Sequence, residues 1–135
     1  GAPILLKTSL IKKIGFFDNN FFMYFEDVDL CDRIKEAGYE IIETSSSFCQ
    51  HHKGSSNISS LKNSFTTISS FKFSEIYYFS KFGFKYSLRI YLHSIDYFFR
   101  ILLNILLLNK KQILTNIFRL IGVLRFLFYQ KKPKF

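Results

Sequence analysis

The sequence predicts an α/β unit followed by amphipathic α-helices, and three observations lead to this prediction. The short apolar run at residues 2–6 is consistent with a buried strand, and residues 39–43, although they alternate poorly, suit a second short strand. The segments between them carry apolar residues at helical spacing. Beyond residue 70 the chain is helical in pattern and strongly basic. We therefore divide it into an α/β part, residues 1–70, and a basic helical tail, residues 71–135.

The first helix is predicted directly after the first apolar run. Thr8 or Ser9 can cap it, and Gly15 lies where the end of a helix favours a positive φ. Residues 16–25 then form a predicted loop that is anchored by aromatic side chains. Its turn is expected at Asp18-Asn19-Asn20, since these residue types bond to their own backbone.

The second helix is predicted to be capped by Asp27 or Asp29 and to end at Gly38. Beyond the second predicted strand, residues 44–70 are rich in Ser, Thr, Asn and Gly, which predicts a loop with one fragmentary helix.

Charge separates the two parts of the chain. Residues 71–135 hold twelve Lys and Arg against two Asp and Glu, a net charge of +10, whereas residues 1–70 hold seven against eight. A basic half with long aliphatic runs favours an anionic membrane surface over nucleic acid, whose grooves require basic residues among polar ones. We therefore expect no nucleic-acid partner.

Two helices near the end carry narrow polar stripes on otherwise apolar surfaces. The stripes comprise His93, Asp96, Arg100 and Asn104, then Gln112, Asn116, Arg119 and Gly122. Because each helix has ionisable residues within any window of about 20 residues, neither is predicted to span a membrane. Two alternatives stay open: the apolar faces lie in the membrane interface, or they pack on each other or on another part of the protein.

The acids Glu26, Asp27 and Asp29 follow the aromatic run 21–25 directly. A carboxylate behind an aromatic wall is shielded from water, which suits a general base. The alternative is structural: Asp27 or Asp29 caps the helix, and Asp29 pairs with Arg33 one turn later.

This region resembles the C-terminal half of the catalytic domain of family-2 glycosyltransferases, in particular the rhamnosyltransferase-like branch. The matching residues are Asp18, Phe21, Tyr24, Glu26, Asp27, Asp29, Leu30, Arg33 and Gly38. The resemblance implies a GT-A-type fold, with Asp27 as the base that deprotonates the acceptor hydroxyl. It also implies that Glu26 orients the acceptor, with Asp29 in the same substrate-binding set in a supporting position.

The resemblance extends to both ends of this part. Gly1-Ala2 corresponds to the family's Gly-Ala pair, which lies beside the acceptor and the donor sugar. The alternative is that these are simply small residues at the start of a strand. His51 heads a His-x-x-Gly-x-Ser motif and would be a ligand of the divalent cation, Mn²⁺ or Mg²⁺, that binds the nucleotide diphosphate. An ordinary loop histidine is the alternative.

The implied function is that of an inverting glycosyltransferase. It would move a sugar from a nucleoside-diphosphate sugar to a glycan or lipid-linked acceptor, in the cytoplasm at the inner face of the plasma membrane. The family's Asp-x-Asp metal motif lies upstream of the Gly-Ala pair, and none precedes Gly1. We therefore expect this chain to be a fragment that is inactive alone. The alternative is a non-catalytic membrane-associated or protein-interaction module derived from such an enzyme.

Overall fold

A computed structural model describes residues 4–44, 46, 60–81 and 85–130. Within these ranges the chain forms five helices and no strand. The helices are α1 (Thr8–Ile14), α2 (Glu26–Glu36), α3 (Leu61–Ser80), α4 (Lys85–Leu106) and α5 (Lys110–Gln130). The prediction of an α/β, GT-A-type fold is therefore wrong for the described residues, which are all-helical.

The described residues of the two predicted strands, 4–6 and 39–43, are irregular and form no strand. Leu5 is fully exposed, and Ile42 is 82% exposed. An isolated extended segment is not a stable strand, because its backbone groups need a neighbouring strand and its side chains need a covered face. No second strand is present in the described ranges to pair with either segment and make a sheet.

The two predicted helices of the first part are confirmed, with small shifts at their starts. Gly15 and Gly38 have φ of +84° and +79°, the conformation that was expected where each helix ends. The N-cap of α2 is Phe25, and no side chain caps it. The acids thus lie inside the first turn of α2, where the helix dipole favours negative charge.

Helices α3, α4 and α5 pack together, with α5 in contact with both of the others. Their core comprises Phe73, Ile76, Ile90, Tyr97, Val123 and Phe126. Small residues allow α3 and α5 to approach closely: Ser69 and Ser70 are buried, and a Cβ on Gly122 would lie 2.5 Å from the carbonyl oxygen of Ser69. The second polar stripe therefore contributes to the packing of α5 against α3.

Helix α3 begins ten residues before the predicted helical tail and runs through residue 70. Ser60 caps it by accepting a hydrogen bond from the backbone N–H of Asn63 at 3.1 Å. The composition of residues 61–70, which favoured a loop, instead supplies the small residues of the α3–α5 contact.

Helix α4 has one packed face and one exposed apolar face. Ile90 and Tyr97 are buried against the bundle, and the stripe residues Asp96 and Arg100 form a 2.7 Å ion pair. We call the remaining side the exposed apolar face of α4. It comprises Leu88, Tyr91, Leu92, Ile95, Phe98, Phe99, Leu102, Leu103, Ile105 and Leu106. The packing alternative therefore holds for one face of α4, which packs on α5, while the opposite face stays exposed and the membrane-interface alternative stays a prediction.

By length and composition, α5 is the one helix of the described chain that is able to cross a membrane, over residues 110–129. It also packs between α3 and α4. A helix of this composition serves equally well in the core of a soluble bundle, so the finding is compatible with membrane association but weak.

Candidate functional site

The aromatic loop 21–25 ends in an unusual backbone conformation. Tyr24 and Phe25 both have positive φ, of 68° and 66°, although neither is glycine. Such a conformation costs about 1–3 kcal/mol per residue and persists only where the surroundings hold it. It lies directly before Glu26 and Asp27, so the strained turn sets the position at which the two acids enter α2.

Helix α3 holds this loop in place. The Ser74 hydroxyl, which is buried, donates a hydrogen bond to the carbonyl oxygen of Met23 at 2.7 Å. The Tyr24 ring meets Phe71 edge-on at 5.3 Å, and the Phe25 ring lies 5.4 Å from that of Tyr78. Aromatic pairs of this kind stabilise by more than their buried area alone. Together these contacts offset the backbone strain.

The two acids at the start of α2 are half-buried and differ in their bonding. Asp27 Oδ1 accepts a hydrogen bond from the backbone N–H of Val28 at 2.9 Å. Glu26 Oε2 is buried and has no hydrogen-bond partner among the described residues. A buried carboxylate oxygen without a partner is costly and needs an explanation. A substrate hydroxyl that donates to this oxygen is one such explanation.

Asp29, in contrast, is fully engaged within the protein. It is 3% exposed, and its Oδ2 accepts a hydrogen bond from Nε of Arg33 at 3.0 Å. Its Oδ1 pairs with Lys81 Nζ. Arg33 in turn donates to the carbonyl oxygens of residues 14–16, which end α1. The pairing of Asp29 with Arg33 is confirmed, and it ties α1, α2 and α3 together.

Asp18 is the second centre of this polar network. Its carboxylate accepts hydrogen bonds from the backbone and side chain of Asn20, from the Tyr77 hydroxyl at 2.8 Å and from Lys81 Nζ at 3.1 Å. Burial alone would raise the pKa of Asp18, but these four hydrogen bonds outweigh it and lower the pKa from 3.8 to about 2. Burial and the bond to Asp18 raise the pKa of Tyr77. The two hydrogen bonds from Asn20 to the Asp18 carboxylate confirm the predicted turn at Asp18-Asn19-Asn20.

Sequence reasoning missed the residues of α3 and α5 that complete the network. Lys81 bridges Asp18 and Asp29, and its ammonium lies 5.0 Å from the centre of the Phe21 ring. Tyr129, in the last turn of α5, donates to Asn20 Oδ1 at 2.8 Å. No local pattern marks partners that are more than 50 residues apart in the chain.

The remaining predicted site residues, Gly1, Ala2 and His51, lie outside the described residues. Within the described ranges, no group of three or more His, Cys, Asp or Glu side chains is placed to hold a metal ion. The metal-ligand prediction for His51 and the substrate-binding prediction for Gly1-Ala2 therefore stay predictions.

Comparison with known proteins connects this chain to a sugar-transferring enzyme. Over 56 residues it is 41% identical to two proteins named N-acetylglucosaminyl-diphospho-decaprenol L-rhamnosyltransferase. They come from Mycobacterium tuberculosis strains CDC 1551/Oshkosh and ATCC 25618/H37Rv. The match covers 42% of this chain and 18% of each relative. No family profile and no solved structure matches the chain. The partial match supports a glycosyltransferase-related function.

Proposed function

We propose that this chain carries the acceptor-binding part of an inverting, family-2-type glycosyltransferase. The partial match to the two rhamnosyltransferases carries the proposal. Their name specifies a glycosyl-diphospho-polyprenol, and we propose an acceptor of the same class here, with a nucleoside-diphosphate sugar as donor. The position of Glu26 and Asp27 behind the strained aromatic loop supports it, because unusual backbone conformations cluster at functional sites.

In this mechanism Asp27 accepts the proton of the acceptor hydroxyl. The hydroxyl oxygen then forms a bond to the anomeric carbon while the bond from that carbon to the nucleoside diphosphate breaks. The electron pair of the broken bond leaves with the diphosphate. Glu26 orients the acceptor by accepting a hydrogen bond from a second hydroxyl at its buried oxygen.

Asp29 has a positioning role in this proposal. Since both of its carboxylate oxygens are bonded to Arg33 and Lys81, it fixes the rotation of α2 against α1 and α3. His51 stays our proposed ligand for Mn²⁺ or Mg²⁺, which would stabilise the departing diphosphate.

We further propose that the protein lies at the inner face of the plasma membrane, where a lipid-linked acceptor resides. The exposed apolar face of α4 and the net positive charge of residues 71–135 support this placement. Apolar side chains enter the interface while basic residues meet anionic headgroups. A non-catalytic membrane-associated or interaction module is the second candidate, and the same apolar face favours it.

A transfer assay separates the two candidates. The complete gene product that contains these 135 residues is incubated with radiolabelled nucleoside-diphosphate sugars and a glycosyl-diphospho-polyprenol in detergent. The enzyme proposal predicts label in the lipid-linked fraction. Membrane binding without transfer from any donor sugar, in the presence of Mn²⁺ or Mg²⁺, would contradict it and support the non-catalytic module.

A further inference from the structure

Beside the aromatic loop an open cleft of about 460 Å³ lies between four parts of the chain. Tyr24 contributes from the loop, Phe71, Lys72 and Glu75 from α3, Tyr97 from α4, and Arg119 from α5. Its volume falls in the range of sites for small ligands. Since Tyr24 lies three residues before Asp27, the cleft adjoins the proposed acceptor site.

Two cations converge on one aromatic ring in this cleft. Lys72 Nζ lies 5.3 Å from the centre of the Tyr97 ring, and Arg119 Cζ lies 5.9 Å from it. They come from different helices, so the packing of the bundle brings two like charges together. Like charges that fold into one cleft repel each other unless an anion lies between or beside them.

The protein neutralises only one of these charges. Lys72, whose side chain is 6% exposed, forms a 2.5 Å ion pair with Glu75. Arg119 forms no ion pair with any acid in the described ranges, and its one polar contact there is a 3.4 Å hydrogen bond to Asn116 Oδ1. The cleft therefore keeps a net positive charge, with the guanidinium of Arg119 available to an incoming anion.

We infer that this cleft binds the diphosphate of a glycosyl-diphospho-lipid. A guanidinium binds phosphate oxygens through two parallel hydrogen bonds, and Arg119 supplies the positive charge that the Lys72–Glu75 pair leaves in the cleft. The exposed rings of Tyr24 and Phe71 provide an apolar surface for the attached sugar or the first isoprene unit.

This inference rests on the proposed function for the identity of the ligand, but its charge argument is independent. The test uses two probes: inorganic pyrophosphate and a water-soluble N-acetylglucosaminyl diphosphate with a short isoprenoid chain. Binding to the purified protein is measured by isothermal titration calorimetry. The test variant is Arg119→Gln, and the matched control is Lys111→Gln, an exposed cation on the same helix.

We expect Arg119→Gln to weaken binding of both probes by about tenfold to a hundredfold, the range for loss of a charge-assisted hydrogen bond. Lys111→Gln should bind as the wild type does. Because Arg119 is exposed, both variants should keep the wild-type melting temperature. Arg119→Lys should recover part of the affinity, since it restores the charge without the second hydrogen bond. Equal affinity of the two glutamine variants, or no binding of either probe to the wild type, would overturn the inference.

Two outcomes distinguish a failure of the diphosphate-binding inference from a failure of the proposed function. Sugar transfer with an acceptor KM that Arg119→Gln does not change would overturn the diphosphate cleft and leave the enzyme proposal in place. Probe binding that depends on Arg119, in a gene product that transfers no sugar, would support the cleft and overturn the enzyme proposal.

Discussion

The close contact between α3 and α5 predicts the effect of adding one methyl group at Gly122. A Cβ at this position would lie 2.5 Å from the carbonyl oxygen of Ser69 and 2.8 Å from Cβ of Lys72. The Ser69 oxygen belongs to a helix backbone and cannot rotate away. To reach an ordinary contact distance the helices must separate by about 0.9 Å, a gap that forfeits a quarter to a half of the dispersion energy across the interface.

The magnitude of the Gly122→Ala effect follows from two opposing contributions. Overpacking of this kind costs about 3 kcal/mol, at the upper end for an added methyl group. Alanine regains about 1 kcal/mol of helix propensity. We therefore expect the free energy of unfolding to fall by about 2 kcal/mol, and the melting temperature by about 8 °C for a domain of this size.

Circular dichroism at the helix band, in thermal and urea denaturation, measures this change. Lys111→Ala, at an exposed position of the same helix, is the matched control and should change stability by less than about 0.5 kcal/mol. The reasoning would be refuted by a Gly122→Ala protein that is more stable than the wild type. In that case the higher helix propensity of alanine would act without a steric cost, and α3 and α5 would not be in close contact.

Three further predictions concern the network and the membrane. The lowered pKa of Asp18 stabilises the folded state above pH 3.8, and this stabilisation is lost as the pH falls toward 2. Urea denaturation of the wild type should therefore show a larger loss of stability between pH 5 and 3 than that of Asp18→Asn, which lacks the titrating carboxylate. Lys81→Met should lower the free energy of unfolding by about 2 kcal/mol at neutral pH, because it removes a charged partner from the buried Asp29; equal stability in urea would contradict this. Phe99→Asp should reduce partitioning into anionic liposomes by about tenfold or more, as measured by sedimentation. The control Ile42→Asp, an exposed position outside α4, should leave the partitioning unchanged. An equal loss in the two variants would exclude the exposed apolar face of α4 as the contact surface.

Sequence reasoning succeeded where a few adjacent residues determine the structure. Gly15 and Gly38 mark helix ends because a positive φ at these positions is a local requirement. The pairing of Asp29 with Arg33 follows from the four-residue spacing on a helix. These features depend on no distant part of the chain.

The wrong predictions concern features that depend on contacts between residues far apart in the chain. A segment such as 39–43 becomes a strand only if another strand lies beside it, and no local pattern reports that. Residues 61–70 look like loop by composition, yet their serines are what α5 needs for close packing. Lys81 and Tyr129 read as an ordinary surface lysine and a tail aromatic until the fold brings them to the loop that begins at Asp18.

The proposed role of Asp27 is the central claim, and one comparison tests it most directly. Asp27→Asn and Asp32→Asn each remove one negative charge from α2, but Asp32 is bonded to the Tyr78 hydroxyl on α3 rather than assigned to chemistry. In the complete gene product, the rate of sugar transfer and the acceptor Kd are measured for both variants. We predict that Asp27→Asn binds the acceptor as the wild type does while kcat falls by about 10²–10⁴-fold, and that Asp32→Asn keeps kcat. A kcat that Asp27→Asn leaves unchanged would contradict the assignment.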